Sequence, residues 1–148
     1  MFKLPTSVLV VVHTAALEVL LIERASRPGY WQSVTGSIDH PGEALEAAAA
    51  REVLEETGID AARGLLGRWN VANTFEIYRQ WRHRFAPGVI YNTEHVFGLG
   101  LAERAAVSLA PEEHVAFDWL PWREAAAKCF SWSNRDAVRV LGEQRGGG

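Results

Sequence analysis

The stretch Arg51-Glu52-Val53-Leu54-Glu55-Glu56-Thr57-Gly58-Ile59 decides how this chain is read. Its carboxylates Glu52, Glu55 and Glu56 are spaced i, i+3 and i+4. On an α-helix that spacing stacks them on one face, about a turn apart. Like charges so close repel, so the cluster adds little stability to a helix by itself. A divalent cation removes the repulsion. Several carboxylate oxygens on a rigid element make a hard-cation site of the Mg2+ kind, where the cation commonly carries phosphates. An isolated E-x-x-E-E also reads as a solvated acidic face.

Outward from the cluster, residues 43–57 are rich in Ala, Glu and Leu, and Gly58 stands where a helix stops. The run Ala47-Ala48-Ala49-Ala50 favours helix and allows close packing on a sheet. Apolar, β-branched runs predict strands over residues 7–12, 19–23, 94–101 and 115–120. A short strand is expected over 31–35, after a loop over 24–30 that contains Pro28-Gly29. Residues 66–81 alternate loosely, as a long strand or hairpin. Pro121 opens a helix around 123–128, and another is expected over 134–143. Strands with a central helix and C-terminal helices predict an α/β layered domain spanning residues 1–148.

Bulk properties bound the function. The chain has 148 residues, 48% hydrophobic and 22% charged, which fits one globular domain. A net charge of -3 argues against a nucleic acid polymer as partner, and a polyphosphate would need local positive charge or metal. The lone Cys129 excludes an intramolecular disulfide and reads as a small apolar filler. The apolar run over 8–12 is too short for a signal core or a membrane span, so a cytoplasmic protein is expected, with no membrane partner. Residues 146–148, all glycine, read as a frayed tail.

The frame of the cluster is more telling than the cluster. Gly36 and Glu43 lie upstream, seven residues separate Glu43 from Arg51, and Gly58-Ile59 closes the run. This resembles the signature of the Nudix hydrolases, G-x5-E-x7-R-E-U-x-E-E-x-G-U, with U a bulky aliphatic residue. One departure stands out: six residues, not five, lie between Gly36 and Glu43, in a loop where Pro41-Gly42 marks a turn.

The resemblance implies the Nudix fold, an α/β/α sandwich with a mixed β-sheet and a signature loop-helix-loop. It implies Glu52, Glu55 and Glu56 as ligands of Mg2+ (or Mn2+), with the Gly36 carbonyl as a backbone ligand. Glu55 and Glu56 are expected to be exposed and mutually repelling without metal. Glu55 or Glu56 could instead be the base that deprotonates water, and position does not divide these roles. Arg51 and Glu43 are expected to organise the site from behind, joined by a charge-assisted bond. Members of the family often add a carboxylate from outside the signature. In Pro111-Glu112-Glu113-His114 the preferred one is Glu113, as ligand or base; the competing reading is an acidic solvated turn.

Segments outside the signature narrow the substrate. Residues 31–36, 82–88, 92–94 and 131–135 are similar to a bacterial subfamily acting on dihydroneopterin triphosphate or dATP. The implied reaction releases pyrophosphate from a small-molecule triphosphate and leaves a monophosphate, catalysed by a monomer or homodimer. A non-catalytic nucleotide sensor is the other class of reading; degenerate members usually lose signature carboxylates, and this chain keeps them all. Arg82 and Arg84 alternate as in a strand, which would aim both guanidiniums at phosphate from one face. Trp31, Phe85 and Trp132 could stack on a heterocycle, although most aromatics fill cores. Gln32 and Asn134 can read a ring edge. No histidine shows metal-ligand spacing.

Overall fold

A computed structural model describes residues 1–145; the tail reading for residues 146–148 lies outside the described residues. The sheet is built around β1 (Thr6–Thr14), whose residues from Ser7 onward are all buried. Such a strand must be covered on both faces, and its period-2 alternation separates two cores. Val8, Val10 and Val12 face one core with Ala48, Ala49 and Val53 of helix α1 (Leu45–Thr57). Leu9 and Val11 face the other, with Ala125 and Ala126 of α2 (Trp122–Lys128) and Ala137, Val138 and Leu141 of α3 (Trp132–Arg145). The result is the expected α/β/α sandwich.

The remaining strands are β2 (Glu18–Arg24), β3 (Trp31–Gln32), β4 (Val34–Ser37), β5 (Leu65–Glu76), β6 (Tyr91–Leu101) and β7 (His114–Pro121). The main path runs β3-β2-β1-β6-β5, with β4 paired to β1 and β7 to β2. β1 and β6 are parallel and the other pairings antiparallel, so the sheet is mixed. The expected single strand over 31–35 is split at Ser33. β3 pairs with β2 and β4 with β1, and the buried Ser33 N–H donates to the Asn134 side-chain oxygen at 2.8 Å.

α1 begins at Leu45, two residues after the expected start, because Ala44 is already extended as its N-cap. Gly58 ends it with a left-handed φ of 72° and its N–H on the Leu54 carbonyl. The strand reading of Arg82 and Arg84 is overturned. β5 ends at Glu76, and Arg79–Arg84 form a 3-10 helix instead. Aromatic packing explains the turn: Trp81 sits edge-on to Tyr78 at 5.3 Å and to Phe130 at 6.3 Å, which an extended chain would separate. Cys129 is buried in the α2–α3 core, and burial pushes its thiol up to about 12, so it behaves as the expected inert filler. No helix among the described residues is long and apolar enough to cross a membrane.

Candidate active site

A cleft of about 920 Å3 opens where β4 and the loop before β7 meet α1 on one side and the start of α3 on the other. That volume suits a nucleotide-sized ligand. Glu52, Glu55, Glu56, Gly36, Glu113, Arg84, Gln32 and Asn134 all line it.

The carboxylates differ in setting: the expected exposure holds for Glu55 and is overturned for Glu56. Within the helix only Glu55 is open, with its side chain 57% exposed, whereas Glu52 and Glu56 are 8% and 6% exposed; Glu113, in the turn before β7, is exposed as well. The i, i+3, i+4 spacing spans enough of the helix circumference for Glu52 and Glu56 to turn under β4 while Glu55 faces outward. Burial pushes Glu52 up to about 7 against the opposing pull of Arg51. It raises Glu56 well above the carboxylate range, aided by the charges of Glu52 and Glu113.

Arg51 connects the helix to its approach loop. Its Nε and Nη2 donate to the two oxygens of Glu43, both at 2.9 Å. Nη1 donates to Glu52 at 2.6 Å and more distantly to Glu55 at 3.4 Å, while Nη2 also reaches the Ser37 carbonyl at 3.2 Å. The fork holds Glu43 down at about 2, assisted by the Asp39 N–H. Glu43 lies outside α1, so it works through Arg51 and the loop backbone. The extra residue in that loop leaves this bonding in place.

The donor set fits a divalent cation. Glu56 carries a buried oxygen with no hydrogen-bond partner. Ligand atoms of Glu56, Glu113 and His114 lie within 4.8 Å of one another. A Cβ on Gly36 would fall 2.1 Å from the Glu52 carboxyl carbon, so only glycine leaves that carboxylate its place. The carboxylate oxygens of Glu56 and Glu113 are hard donors of the kind a hard divalent ion takes. His114, which the sequence offered no reason to single out, is held neutral by burial, down to about 4. Its Nε2 lies 3.4 Å from the Gln32 amide nitrogen, so it accepts when Gln32 donates, and the ring proton then sits on Nδ1.

Positive charge enters the same cleft from residues the sequence reading missed. Lys3 and Arg24 line it beside Arg84. Burial and then the neighbouring guanidiniums lower both Lys3 and Arg24, while Glu52 and Glu56 raise Lys3 and Glu56 and Glu113 raise Arg24. Arg24 is further placed by the Trp81 ring, 4.5 Å from its guanidinium carbon. Arg82 is not brought to the cleft: the 3-10 turn sends it to Glu76 at 2.9 Å and the Ile77 carbonyl at 3.0 Å. Trp31 is also outside, packed on the α2–α3 core under the Lys128 ammonium. Asn134 reaches the cleft wall, but its amide is committed to the Ser33 N–H and the Ser131 hydroxyl, each at 2.8 Å. Phe85 and Trp132 do line the cleft.

At the α3 end lies another missed residue, Glu94 of β6. It is 5% exposed, bonded to Ser133, and has one oxygen without a partner. Burial pushes it up from the ordinary 4.5 to about 7.

Residues 3–141 match the NUDIX domain family. The chain is 43% identical over 140 residues to the dihydroneopterin triphosphate diphosphatase of Escherichia coli K12, covering 93% of this chain and 91% of that one. The protein of the same name from Haemophilus influenzae is 32% identical over 141 residues, covering 93% and 87%. In structure, the chain resembles the E. coli dihydroneopterin triphosphate pyrophosphohydrolase with a TM-score of 0.89 at 41% identity, covering 97% and 99% of the two chains.

Two outcomes are expected from the site. Gly36→Ala displaces the Glu52 carboxylate and weakens divalent-cation binding by about ten- to a hundredfold; an unchanged Mn2+ affinity in an EPR titration would remove Glu52 from the site. For Glu94, the fold disfavours the ionised form, so its contribution to stability is present below about pH 4.5 and declines as pH rises through about 7. Glu94→Gln cannot ionise. Its melting temperature should exceed the wild type's by several degrees at about pH 8 and by little at about pH 5. A difference independent of pH contradicts this.

Proposed function

The chain belongs to the NUDIX family, and from that membership we propose that it hydrolyses dihydroneopterin triphosphate to the monophosphate and pyrophosphate, with Mg2+ as its cation and Mn2+ able to substitute. The observation that carries the reading is a single cleft in which buried carboxylates face a cationic set formed by Lys3, Arg24 and Arg84. Relatives of that name, alike over more than nine-tenths of this chain, support the choice of substrate. The reading makes the protein a cytoplasmic enzyme acting on a free small molecule, not on a nucleic acid polymer.

Glu52, Glu56 and Glu113, with the Gly36 carbonyl, would hold the metal, and Glu55 lies at the open side. When bound, the cation offsets phosphate charge and lowers the pKa of a coordinated water. Lys3, Arg24 and Arg84 bind the remaining phosphate oxygens, and the guanidiniums do so through fixed forks. Water adds to one phosphorus, the P–O bond to the departing pyrophosphate breaks, and the water proton passes to a carboxylate. Glu55, Glu56 and Glu113 are the groups able to take it. Arg51 keeps Glu52 aligned, and Glu43 keeps Arg51 aligned.

Glu56→Gln tests the site directly. Turnover in Mg2+ should fall about a hundred- to ten-thousandfold. In EDTA the variant should melt no lower than the wild type, because the substitution removes a buried carboxylate that lacks a partner on one oxygen. Full activity of Glu56→Gln would refute the assignment. For the substrate, kcat/KM with product identification should favour dihydroneopterin triphosphate over dATP and yield pyrophosphate; release of phosphate alone, or preference for dATP, would reverse the reading.

A further inference from the structure

The sheet face that packs on α2 and α3 changes character along its length. Leu9, Val11 and Val96 are apolar, yet the next positions on the same face, Ser7, Asn92 and Glu94, are polar and line the cleft. Asn92 and Glu94 are i and i+2 on β6, so their side chains leave the strand on one side. Both are more than nine-tenths buried, at 6% and 5% exposure. Buried polar atoms are normally paired, and a pair of exceptions side by side calls for a reason.

The unpaired atoms are both acceptors: Glu94 Oε1 and Asn92 Oδ1. Two donors nearby already have acceptors. The Asn92 amide N–H donates to the Ser7 hydroxyl at 2.7 Å, and Ser133 bonds to Glu94. What remains is a pocket wall that presents two unpaired acceptors to the cleft. Beside it Trp132, 46% exposed, stands edge-on to Phe75 with ring centroids 6.4 Å apart, and both line the cleft. Aromatic surface next to fixed acceptors is the chemistry that holds a flat heterocycle by its N–H edge.

We propose that Glu94 and Asn92 form a ring-reading subsite for a 2-amino-4-oxo heterocycle, and that this subsite selects pterin and guanine triphosphates over adenine ones. The edge of such a ring presents a ring N–H next to an amino group, three donor hydrogens in all. Glu94 takes the adjacent pair through its open lone pairs, and Asn92 Oδ1 takes a further amino hydrogen. The adenine edge presents one amino group and a bare ring nitrogen. That nitrogen would face a carboxylate, acceptor against acceptor, and leave the buried oxygen unpaired. A site built on hydrogen bonds rejects a ring lacking the donors far more strongly than an apolar slot can. The proposal rests on the hydrolase reading for where the phosphates lie, and it deepens that reading by naming what recognises the ring.

The test uses the full chain, Glu94→Gln and Asn92→Ala, each verified as folded by thermal unfolding. Pyrophosphate release from dihydroneopterin triphosphate, dGTP and dATP gives kcat/KM for each. In Glu94→Gln, the ratio of either 2-amino-4-oxo substrate to dATP should fall at least about tenfold, since the amide turns one acceptor into a donor; Asn92→Ala should lower it less. In parallel, neopterin, which carries no phosphate, is titrated by fluorescence in EDTA, with adenosine as the control ring. Wild type should bind neopterin better than adenosine, and Glu94→Gln should weaken neopterin by at least about tenfold. Hydrolysis with an unchanged ratio and unchanged neopterin binding overturns the subsite and leaves the hydrolase standing. Neopterin binding lost in Glu94→Gln, in a protein that cleaves none of the triphosphates, upholds the subsite and overturns the hydrolase. A wild-type preference for the adenine ring overturns the proposal outright.

Discussion

The contact on which the site depends is the guanidinium of Arg51. Its planar fork can satisfy several oxygens at once, and here it takes both oxygens of Glu43, one of Glu52 and the carbonyl of Ser37. These partners come from the approach loop, the helix and the end of β4. One side chain therefore sets the loop, the helix and the strand relative to each other. A lysine would supply the charge without the planar geometry. This is why an additional residue in the loop is absorbed: the loop is held at its ends, and its length between them is free.

The carboxylates show how function sets local energetics. Glu52, Glu56 and Glu94 are buried acids, and burial favours their neutral forms. None is what a stability-driven core would hold at such a position. They persist because the surroundings are over-determined: Val8, Val10, Leu9 and Val11 are fully buried on opposite faces of β1, with helices packed on both. The apolar sandwich supplies the stability against which the polar cleft draws.

Much of this was legible in the amino-acid order. The helix announced itself by Ala-rich composition and the Gly58 stop, and β1 by its apolar run. The carboxylate spacing placed Glu52, Glu55 and Glu56 at the cleft because helical periodicity is local. Burial of Glu52 and Glu56 was not legible, since it depends on β4 crossing over them. Lys3 and Arg24 lie far from the signature in sequence and reach the cleft only through the sheet order. Arg82 and Arg84 looked equivalent by alternation, but tertiary packing of Trp81 on Phe130 turned the chain and separated them. Glu94 did leave a trace: Asn92, Glu94 and Val96 alternate, and a polar start to an otherwise buried strand is a signal of a cleft.

The break at Ser33 has a wider meaning. Gln32 belongs to the strand paired with β2, Val34 to the one paired with β1, and Asn134 from α3 fastens the residue between them. Two residues on from Val34 is Gly36, against the Glu52 carboxylate; one residue on from Asn92 in the sheet, Thr93 pairs with Thr6, next to Ser7. The proposed phosphate end and the proposed ring end of the cleft are thus strung on one backbone lattice. Their separation is set by strand geometry, so on the proposed reading the cleft works as a gauge, admitting a ligand by the span between its flat head and its charged tail.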